Sequence, residues 1–308
     1  MENVAFVFPG QGSQALGMLA ELAESHAVVG QTFAEASDVL GYDLWALVQQ
    51  GPVETLNETD KTQPALLAAS VAIWRAYVAS GKPMPAMLAG HSLGEYSALV
   101  CAGVMDFKDA IKLVELRGQL MQQAVPAGTG AMYAIIGLDN EGIANACAEA
   151  AQGDVVSPVN FNSPGQVVIA GQKDAVERAA AACKAAGAKM AVALLVSVPS
   201  HCALMKPAAD KLAVALNDVQ FNPPTITVIN NVDVASPTSA DDIKDALVRQ
   251  LYCPVRWSET VELMAQKGIT QLVECGPGKV LTGLAKRINK SLSAQAVNDV
   301  ASLAALTE

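Results

Sequence analysis

Histidine is scarce in this chain, and signals for bound metal are absent. The 308 residues include three histidines and six cysteines, with no Cys-x-x-Cys pair and no close His/Cys group. Neither a zinc site nor a disulfide framework is indicated. The cysteines are expected to be reduced thiols of a cytosolic protein, mostly packed in its core, and Cys275 is expected to be one of the packed thiols. We expect no metal and no other cofactor.

Excess positive charge and long apolar runs are also lacking. The formal net charge of −10 argues against nucleic acid as the main partner, because phosphate binding needs a basic face. No apolar run reaches the roughly 18 residues of a membrane span, and the N-terminus lacks the pattern of a signal peptide. We therefore expect a cytoplasmic protein without a membrane partner. Its 52% hydrophobic residues suffice for a full core, and its length suggests about two domains or one large domain carrying an insertion.

The segment Gly90–Glu95, with the letters GHSLGE, has the form G-x-S-x-G. The apolar residues Met87–Ala89 before it predict the end of a strand, and Glu95–Cys101 predicts a helix. A serine at a sharp strand-to-helix turn is typical of a nucleophile elbow, in which flanking glycines let the neighbouring backbone pass closely. We therefore interpret Ser92 as a nucleophile rather than as part of an ordinary turn.

A second glycine-rich turn, Pro9–Gln14, follows the apolar strand predicted over Val4–Phe8. This turn also fits the loose dinucleotide pattern G-x-G-x-x-A, which requires a second strand with an acidic end about 20 residues later. Residues 31–40 predict a helix instead, so we reject nucleotide binding. Ligands of α/β sheets bind at the carboxyl ends of strands, which places the Gln11 amide at the expected site. The alternative is an exposed glutamine in a plain turn.

Arg117 falls within the apolar stripe of the helix predicted after Asp106. A buried guanidinium without a partner is unfavourable, so the side chain must contact an anion or reach water. The structural alternatives are an ion pair with Glu95 or Glu115, or an aliphatic stem lying over the core. If the site holds a free carboxylate, the guanidinium fork of Arg117 matches it.

The pattern changes at about residue 130. From there, strands and helices are predicted in the order β-α-β-β-α-β over 130–138, 139–151, 155–161, 166–170, 173–186 and 189–196. This order is that of the ferredoxin-like split unit. On either side the chain alternates predicted helices and strands as an α/β domain does. These flanking elements are 16–24, 63–79, 204–216, 225–229, 240–251 and 271–275. We therefore interpret the unit as an inserted domain.

His201 follows the inserted unit, at the end of Ser197–His201. His91 adjoins Ser92 and is expected to point away from its hydroxyl, and His26 lies in an early predicted helix with a polar face. His201 is therefore the candidate general base, with a structural hydrogen bond as the alternative role. No acidic residue stands in an obvious third position of a triad, which leaves a backbone carbonyl to orient the imidazole.

Several segments together carry a family resemblance, and they occur in order with suitable spacing. They are Pro9–Gln14, Gly90–Glu95, Arg117, Asn160–Gln166, Pro199–His201 and Gly276–Gly278. The chain closely resembles the malonyl-CoA:acyl carrier protein transacylases of bacterial fatty acid synthesis. The match extends from residue 3 to about residue 290, and the combination of motifs is highly specific.

The resemblance implies a two-domain α/β fold with the active site between the domains. An α/β-hydrolase-like large domain would comprise 1–125 and 204–308, and a ferredoxin-like domain would be inserted over 126–203. The implied reaction is ping-pong. Ser92, deprotonated by His201, would take the malonyl group from malonyl-CoA and pass it to the pantetheine thiol of acyl carrier protein.

The resemblance also implies roles for residues around this pair. Gln11 and the Leu93 N–H would form the oxyanion hole, Arg117 would bind the malonyl carboxylate, and the Gln250 carbonyl would orient His201. An acidic carrier protein would need a basic patch for docking. The candidates lie on the helix expected to be the last of the chain, where a solvated helix face is the alternative. They are Lys279, Lys286, Arg287 and Lys290.

Other functions use the same residues. A hydrolase would employ Ser92 and His201 with water as the acceptor, although Arg117 on an apolar face favours a carboxylated acyl group. The same transacylase could serve polyketide synthesis or malonate decarboxylation, and a non-catalytic carrier scaffold is the third alternative. Ser200 stands where many relatives carry a bulky aromatic residue beside the acyl pocket, which leaves the preference for malonyl over methylmalonyl open. We expect a monomer.

Overall fold

A computed structural model describes residues 1–196 and 198–306. Ser197 and the last two residues of the predicted segment 204–308 lie outside the described residues. The strands are β1 (Val4–Phe8), β2 (Met87–Gly90), β3 (Gly130–Ile136), β4 (Val156–Ser163), β5 (Gln166–Gln172), β6 (Met190–Ala193), β7 (Thr227–Ile229), β8 (Gln271–Cys275) and β9 (Ser293–Val297).

The helices connect these strands. They are α1 (Ala20–Ser25), α2 (Ala27–Leu40), α3 (Leu44–Gln50), α4 (Val53–Leu56), α5 (Thr59–Ala79), α6 (Gly94–Cys101), α7 (Phe107–Gln123), α8 (Asn140–Ala151), α9 (Lys173–Ala185), α10 (Lys206–Leu216), α11 (Ala240–Gln250), α12 (Trp257–Gln266), α13 (Val280–Ile288) and α14 (Val300–Ala305). Across the described ranges, none of them has the length and apolar character needed to cross a membrane.

Sheet A is a five-stranded parallel sheet in the order β7-β2-β1-β8-β9. Its strand β1 is buried along its whole length, because helices cover both faces of the sheet. Phe6 and Phe8 pack into the apolar cluster on one face, and Ala5 and Val7 into the cluster on the other. Burial on both faces explains the uninterrupted apolar run in the sequence.

Three strands of sheet A end side by side, as the parallel register requires. Phe8 of β1 pairs with Gly90 of β2, and β7 runs parallel to β2 on its other side. The turns after β1, β2 and β7 bring Gln11, Ser92 and Asn231 to one edge of the sheet. This is the edge at which α/β sheets bind their ligands.

Sheet B is a four-stranded antiparallel sheet in the order β4-β5-β3-β6. The element order from β3 to β6 is the predicted β-α-β-β-α-β, and Asp139 caps α8 by accepting a hydrogen bond from the Gly142 N–H at 2.8 Å. Helices α8 and α9 cover one face of sheet B. The other face packs against Cys202, so the edge of sheet A that carries Ser92 has sheet B beside it.

Backbone and side-chain hydrogen bonds join β4 to the part of the chain that contains sheet A. The Phe161 N–H donates to the Val255 carbonyl at 3.0 Å, and the Val255 N–H donates to the Val159 carbonyl at 2.8 Å. His91, next to the nucleophile candidate, lies 2.8 Å through Nε2 from Asn162 Oδ1. These contacts fix how β4 approaches the elbow.

Sequence patterns missed α3, α4, α12, β9 and α14, most of which are short or without a continuous apolar run. The helix predicted over 16–24 begins only at Ala20, because Leu19 has a left-handed backbone with φ of 63°. His26 does not lie within a helix but has an extended backbone between α1 and α2. The helix carrying Lys286 and Arg287 is α13, which β9 and α14 follow, so it is not the last.

Candidate active site

Ser92 lies at a strained turn between β2 and α6. Its φ of 52° is in the left-handed region, which a residue with a side chain adopts only where its surroundings enforce it. Both flanking glycines are required sterically: a methyl group at Gly90 would overlap the Gly94 backbone, and one at Gly94 would overlap the Phe8 carbonyl. The close packing of α6 on β1 therefore holds the serine in the elbow geometry predicted for it.

Ser92 and His201 are brought together although 109 positions separate them in the sequence. Ser92 Oγ lies 2.8 Å from His201 Nε2, and His201 Nδ1 lies 2.6 Å from the Gln250 carbonyl oxygen. Because a carbonyl only accepts, Nδ1 carries the proton and the Nε2 lone pair faces the serine hydroxyl. This is the tautomer that a general base needs.

The environment of His201 keeps its imidazole neutral. The side chain is 2% exposed, and its backbone is left-handed with φ of 65°. Burial lowers the pKa of His201 to about 3, with a further contribution from the positive charge of Arg117. The imidazole is therefore unprotonated, and able to accept the serine proton, throughout the neutral pH range.

Arg117 is fully buried on α7 and points at the Ser92–His201 pair. Its Nη1 donates to Gln63 Oε1 at 2.8 Å, while Nη2 donates to Gln250 Oε1 at 3.0 Å and lies 3.4 Å from Ser92 Oγ. Neither of the acidic partners considered from the sequence forms a salt bridge with it, because Glu115 pairs with a lysine and Glu95 bonds elsewhere. In the described chain, neutral groups alone hydrogen-bond this cation.

A hydrogen-bonded network lies beneath the elbow. Asn231 accepts from the Ser92 N–H at 2.8 Å through Oδ1 and donates to the Gly90 carbonyl at 2.7 Å. Glu95 Oε2 accepts from the Asn231 N–H and from Gln250 Nε2, each at 2.9 Å. Burial raises the pKa of Glu95 to about 7. The network thus holds the serine backbone and the Gln250 side chain in fixed positions.

Gln11 and Leu93 lie on the lining of the same cleft. Leu93 precedes the first turn of α6, where backbone N–H groups have no partner within the helix. The Gln11 side chain makes a long contact of 3.5 Å to Thr59 Oγ1. Both residues are therefore next to Ser92 at the carboxyl edge of sheet A, where an oxyanion would form.

The cleft is lined by residues from both sheets, and its space of about 610 Å³ includes a part that is open to solvent. Sheet B contributes Met132 and Asn160 to the lining. The chain that follows sheet B contributes Leu194, Val198 and Ser200. Polar and apolar side chains both line the cleft, and the apolar ones include Met121, Met132 and Leu194. The cleft therefore combines apolar surface with a small group of polar side chains around Ser92, as small-molecule sites do.

Comparison with known proteins agrees with this geometry. The sequence profile of the acyl transferase domain family matches residues 5–307. The malonyl CoA-acyl carrier protein transacylase of Escherichia coli K12 is 68% identical over the full length of both chains. A crystal structure of an acyl carrier protein S-malonyltransferase from Vibrio cholerae is 74% identical, with a TM-score of 0.98, and the match covers 99% of this chain and 100% of that one.

The chain belongs to the malonyl CoA-acyl carrier protein transacylase family. It is an acyltransferase. Another relative, 72% identical with a TM-score of 0.97 over 98% of each chain, is a malonyl-transacylase solved in complex with a type II PKS acyl-carrier protein. The fold of these relatives is a mixed α/β structure, as it is here.

Several polar residues at the site of this acyltransferase were missed by the sequence analysis. Asn231 directly follows the buried strand β7, and that position at a strand end was a usable signal. Gln63 lies inside the apolar helix α5, which was predicted to start at 63 but starts at Thr59. Glu95 was considered only as an ion-pair partner.

Cys275 is buried, and burial raises its thiol pKa, in agreement with the prediction of a packed thiol.

The low pKa of His201 predicts how Ser92 reactivity depends on pH. Labelling of Ser92 by a neutral sulfonyl fluoride should proceed at a nearly constant rate from pH 8 to about pH 5, because the base stays unprotonated. The rate is measured by intact-protein mass, with His201→Ala as the unreactive control. The same measurement on Glu95→Gln is a second control, because it removes a nearby carboxyl group whose own titration near pH 7 could change the rate. A tenfold loss per pH unit below about 6.5, the ordinary histidine value, would contradict the assignment.

Proposed function

We propose that this acyltransferase moves a malonyl group from malonyl-CoA to the pantetheine thiol of acyl carrier protein, for fatty acid synthesis. The names of its relatives support malonyl as the acyl group and the carrier as acceptor. The observation that carries the proposal is a buried Arg117 beside the Ser92–His201 pair, without a carboxylate against it. An incoming acyl group that ends in a carboxylate supplies the missing anion.

The proposed chemistry is a ping-pong exchange through malonyl-Ser92. Ser92 Oγ attacks the thioester carbonyl carbon as His201 Nε2 takes the hydroxyl proton, and the N–H groups of Gln11 and Leu93 stabilise the oxyanion. The carbon–sulfur bond then breaks, and the departing sulfur of coenzyme A takes the proton from His201. In the second half, His201 accepts the proton of the carrier thiol, whose sulfur attacks the ester carbonyl carbon. The bond from that carbon to Ser92 Oγ then breaks, and Oγ takes back the proton from His201.

Each of the two proposed domains contains one of the two sheets. We propose an α/β-hydrolase-like catalytic domain over 1–125 and 204–308, and a ferredoxin-like inserted domain over 126–203. The strand order β4-β5-β3-β6 with two helices on one face supports the second description. A monomer and a cytoplasmic location stay predictions from the sequence.

An apolar surface of sheet B beside the cleft offers a path for the pantetheine arm. Antiparallel pairing aligns Ala134 with Val192 and Ile136 with Met190. These pairs lie on the same face as Met132, which lines the cleft, because alternate residues of a strand share a face. We call this apolar surface the β3–β6 strip. It extends about 13 Å beyond Met132 at 3.3 Å per residue.

Polar groups lie where the arm would need them. Asn160 Oδ1 lines the cleft as a buried acceptor without a hydrogen-bond partner in the described chain, and it suits an amide N–H of pantetheine. At the far end of the strip, Arg287 donates to Gln166 at 2.9 Å, and Gln166 pairs with Ile136. The exposed Arg287 suits the phosphate at the end of the arm.

The covalent intermediate is tested by intact-protein mass after brief mixing with malonyl-CoA. We expect a malonyl adduct that requires Ser92, persists in buffer and moves to holo acyl carrier protein when that is added. Ser92→Ala is the control and should stay unmodified. An adduct lost equally fast with or without carrier would make the protein a hydrolase. Absence of an adduct from malonyl-CoA would contradict the proposed transfer.

The β3–β6 strip is tested by comparing malonyl-CoA with malonyl-N-acetylcysteamine, which lacks most of the arm. Val192→Glu and Arg287→Glu should each raise the KM for malonyl-CoA about tenfold, the effect of losing roughly 1.4 kcal/mol, and leave the short donor unaffected. Val214→Glu, at an exposed apolar position of α10, is the matched control. Equal loss with both donors, or no loss with either, would show that the arm binds elsewhere.

A further inference from the structure

Glu95 is a buried carboxylate for which the proposed chemistry has no use. It lies three residues after Ser92 on α6, is 2% exposed, and does not contact His201 or the Arg117 guanidinium by a hydrogen bond. Burying a carboxylate is costly unless its partners compensate for the lost hydration. The partners it has are the Asn231 N–H and the Gln250 side-chain amide.

The Gln250 amide links Glu95 to Arg117. Gln250 Nε2 donates to Glu95 Oε2 at 2.9 Å, and its Oε1 accepts from Arg117 Nη2 at 3.0 Å. If the amide were turned over, its NH₂ would face the guanidinium donors and its oxygen would face the carboxylate. Both contacts would then be repulsive, since a guanidinium only donates and a carboxylate only accepts.

The other acceptors around Gln250 Nε2 are weaker, and one depends on Glu95 itself. They are the Ser92 carbonyl at 3.0 Å and Asn231 Oδ1 at 3.3 Å. A hydrogen bond to a carboxylate is about twice as strong as one between neutral groups. Asn231 is in turn held by Glu95 through its N–H. The carboxylate therefore determines which way the amide oxygen of Gln250 points.

We infer that Glu95 is a positioning residue for acyl selectivity: through the Gln250 amide, it aims the Arg117 guanidinium at the carboxylate of the acyl group. The inference rests on the proposed malonyl transfer. Two amide oxygens, from Gln63 and Gln250, hold the guanidinium without an ion pair in contact. Its Nη2 lies 3.4 Å from Ser92 Oγ, where the acyl group would be attached, so this end of the guanidinium is beside the substrate.

The role can be distinguished from the serine–histidine chemistry, although Glu95 also helps to hold Asn231 beneath the elbow. His201 is oriented by the backbone carbonyl of Gln250, at the end of α11, and not by the side-chain amide. Losing Glu95 should therefore weaken acylation by malonyl-CoA much more than acylation by acetyl-CoA, which has no carboxylate. A purely structural role would lower both rates together, so the malonyl:acetyl ratio distinguishes the two.

The test measures Ser92 acylation rates with malonyl-CoA and acetyl-CoA at pH 8, where Glu95 with its pKa of about 7 is ionised. Glu95→Met keeps the volume and removes the acceptor, and should lower the malonyl:acetyl ratio about tenfold or more. Glu95→Gln retains an acceptor oxygen for both donors and should restore the ratio to within about threefold of wild type. A ratio unchanged in Glu95→Met, or lowered equally in Glu95→Gln, would overturn the inference.

A double-mutant cycle tests the route through the amide. Gln250→Leu removes the side-chain link but keeps the backbone carbonyl, and should lower the ratio as Glu95→Met does. The double variant should be no worse than Gln250→Leu alone. Multiplied effects in the double variant would overturn the inference. So would an unchanged ratio in Gln250→Leu, which decides the matter even if Glu95→Met fails to fold. Absence of a malonyl adduct on the wild-type protein would instead contradict the proposed function.

Discussion

Burial of the Arg117 guanidinium beside the nucleophile is the constraint on which the rest of the site depends. A buried cation is unfavourable without strong acceptors, and the described chain supplies neutral oxygens from α5 and α11 rather than a carboxylate in contact. A direct ion pair would compensate the charge more fully but would compete with a substrate carboxylate. Holding the cation with amides keeps it aimed and leaves its charge available.

The positive charge of Arg117 also affects the Ser92–His201 pair. Arg117 adds to the effect of burial in lowering the pKa of His201, so the imidazole stays neutral beside the buried cation. The elbow brings Ser92 within reach of both, since Gly90 and Gly94 allow α6 to pack directly on the ends of β1 and β2. In the proposed mechanism, the same few contacts at one sheet edge therefore serve both binding and activation of the acyl group.

The residues that could be predicted have a distinct local signal. Ser92 lies in a strand–turn–helix motif, His201 is one of only three histidines, and Arg117 interrupts an apolar stripe. The β-α-β-β-α-β order was predictable because its strands and helices have clear apolar periods. The carbonyl of Gln250 came only from the family resemblance, since a backbone acceptor leaves no trace in residue type. Asn231 was missed because its role depends on three-dimensional contacts with the elbow.

The central claim, that Arg117 recognises the carboxylate of the acyl group, is tested most directly by comparing two donors on one variant. In Arg117→Ala, Ser92 acylation by malonyl-CoA should fall about a hundredfold, the loss of a charged hydrogen-bonding pair, and acylation by acetyl-CoA should be spared or increased. Arg178→Ala, which removes an arginine of α9 paired with Asp154, is the matched control. Equal losses with both donors would mean that Arg117 is structural and would contradict the account.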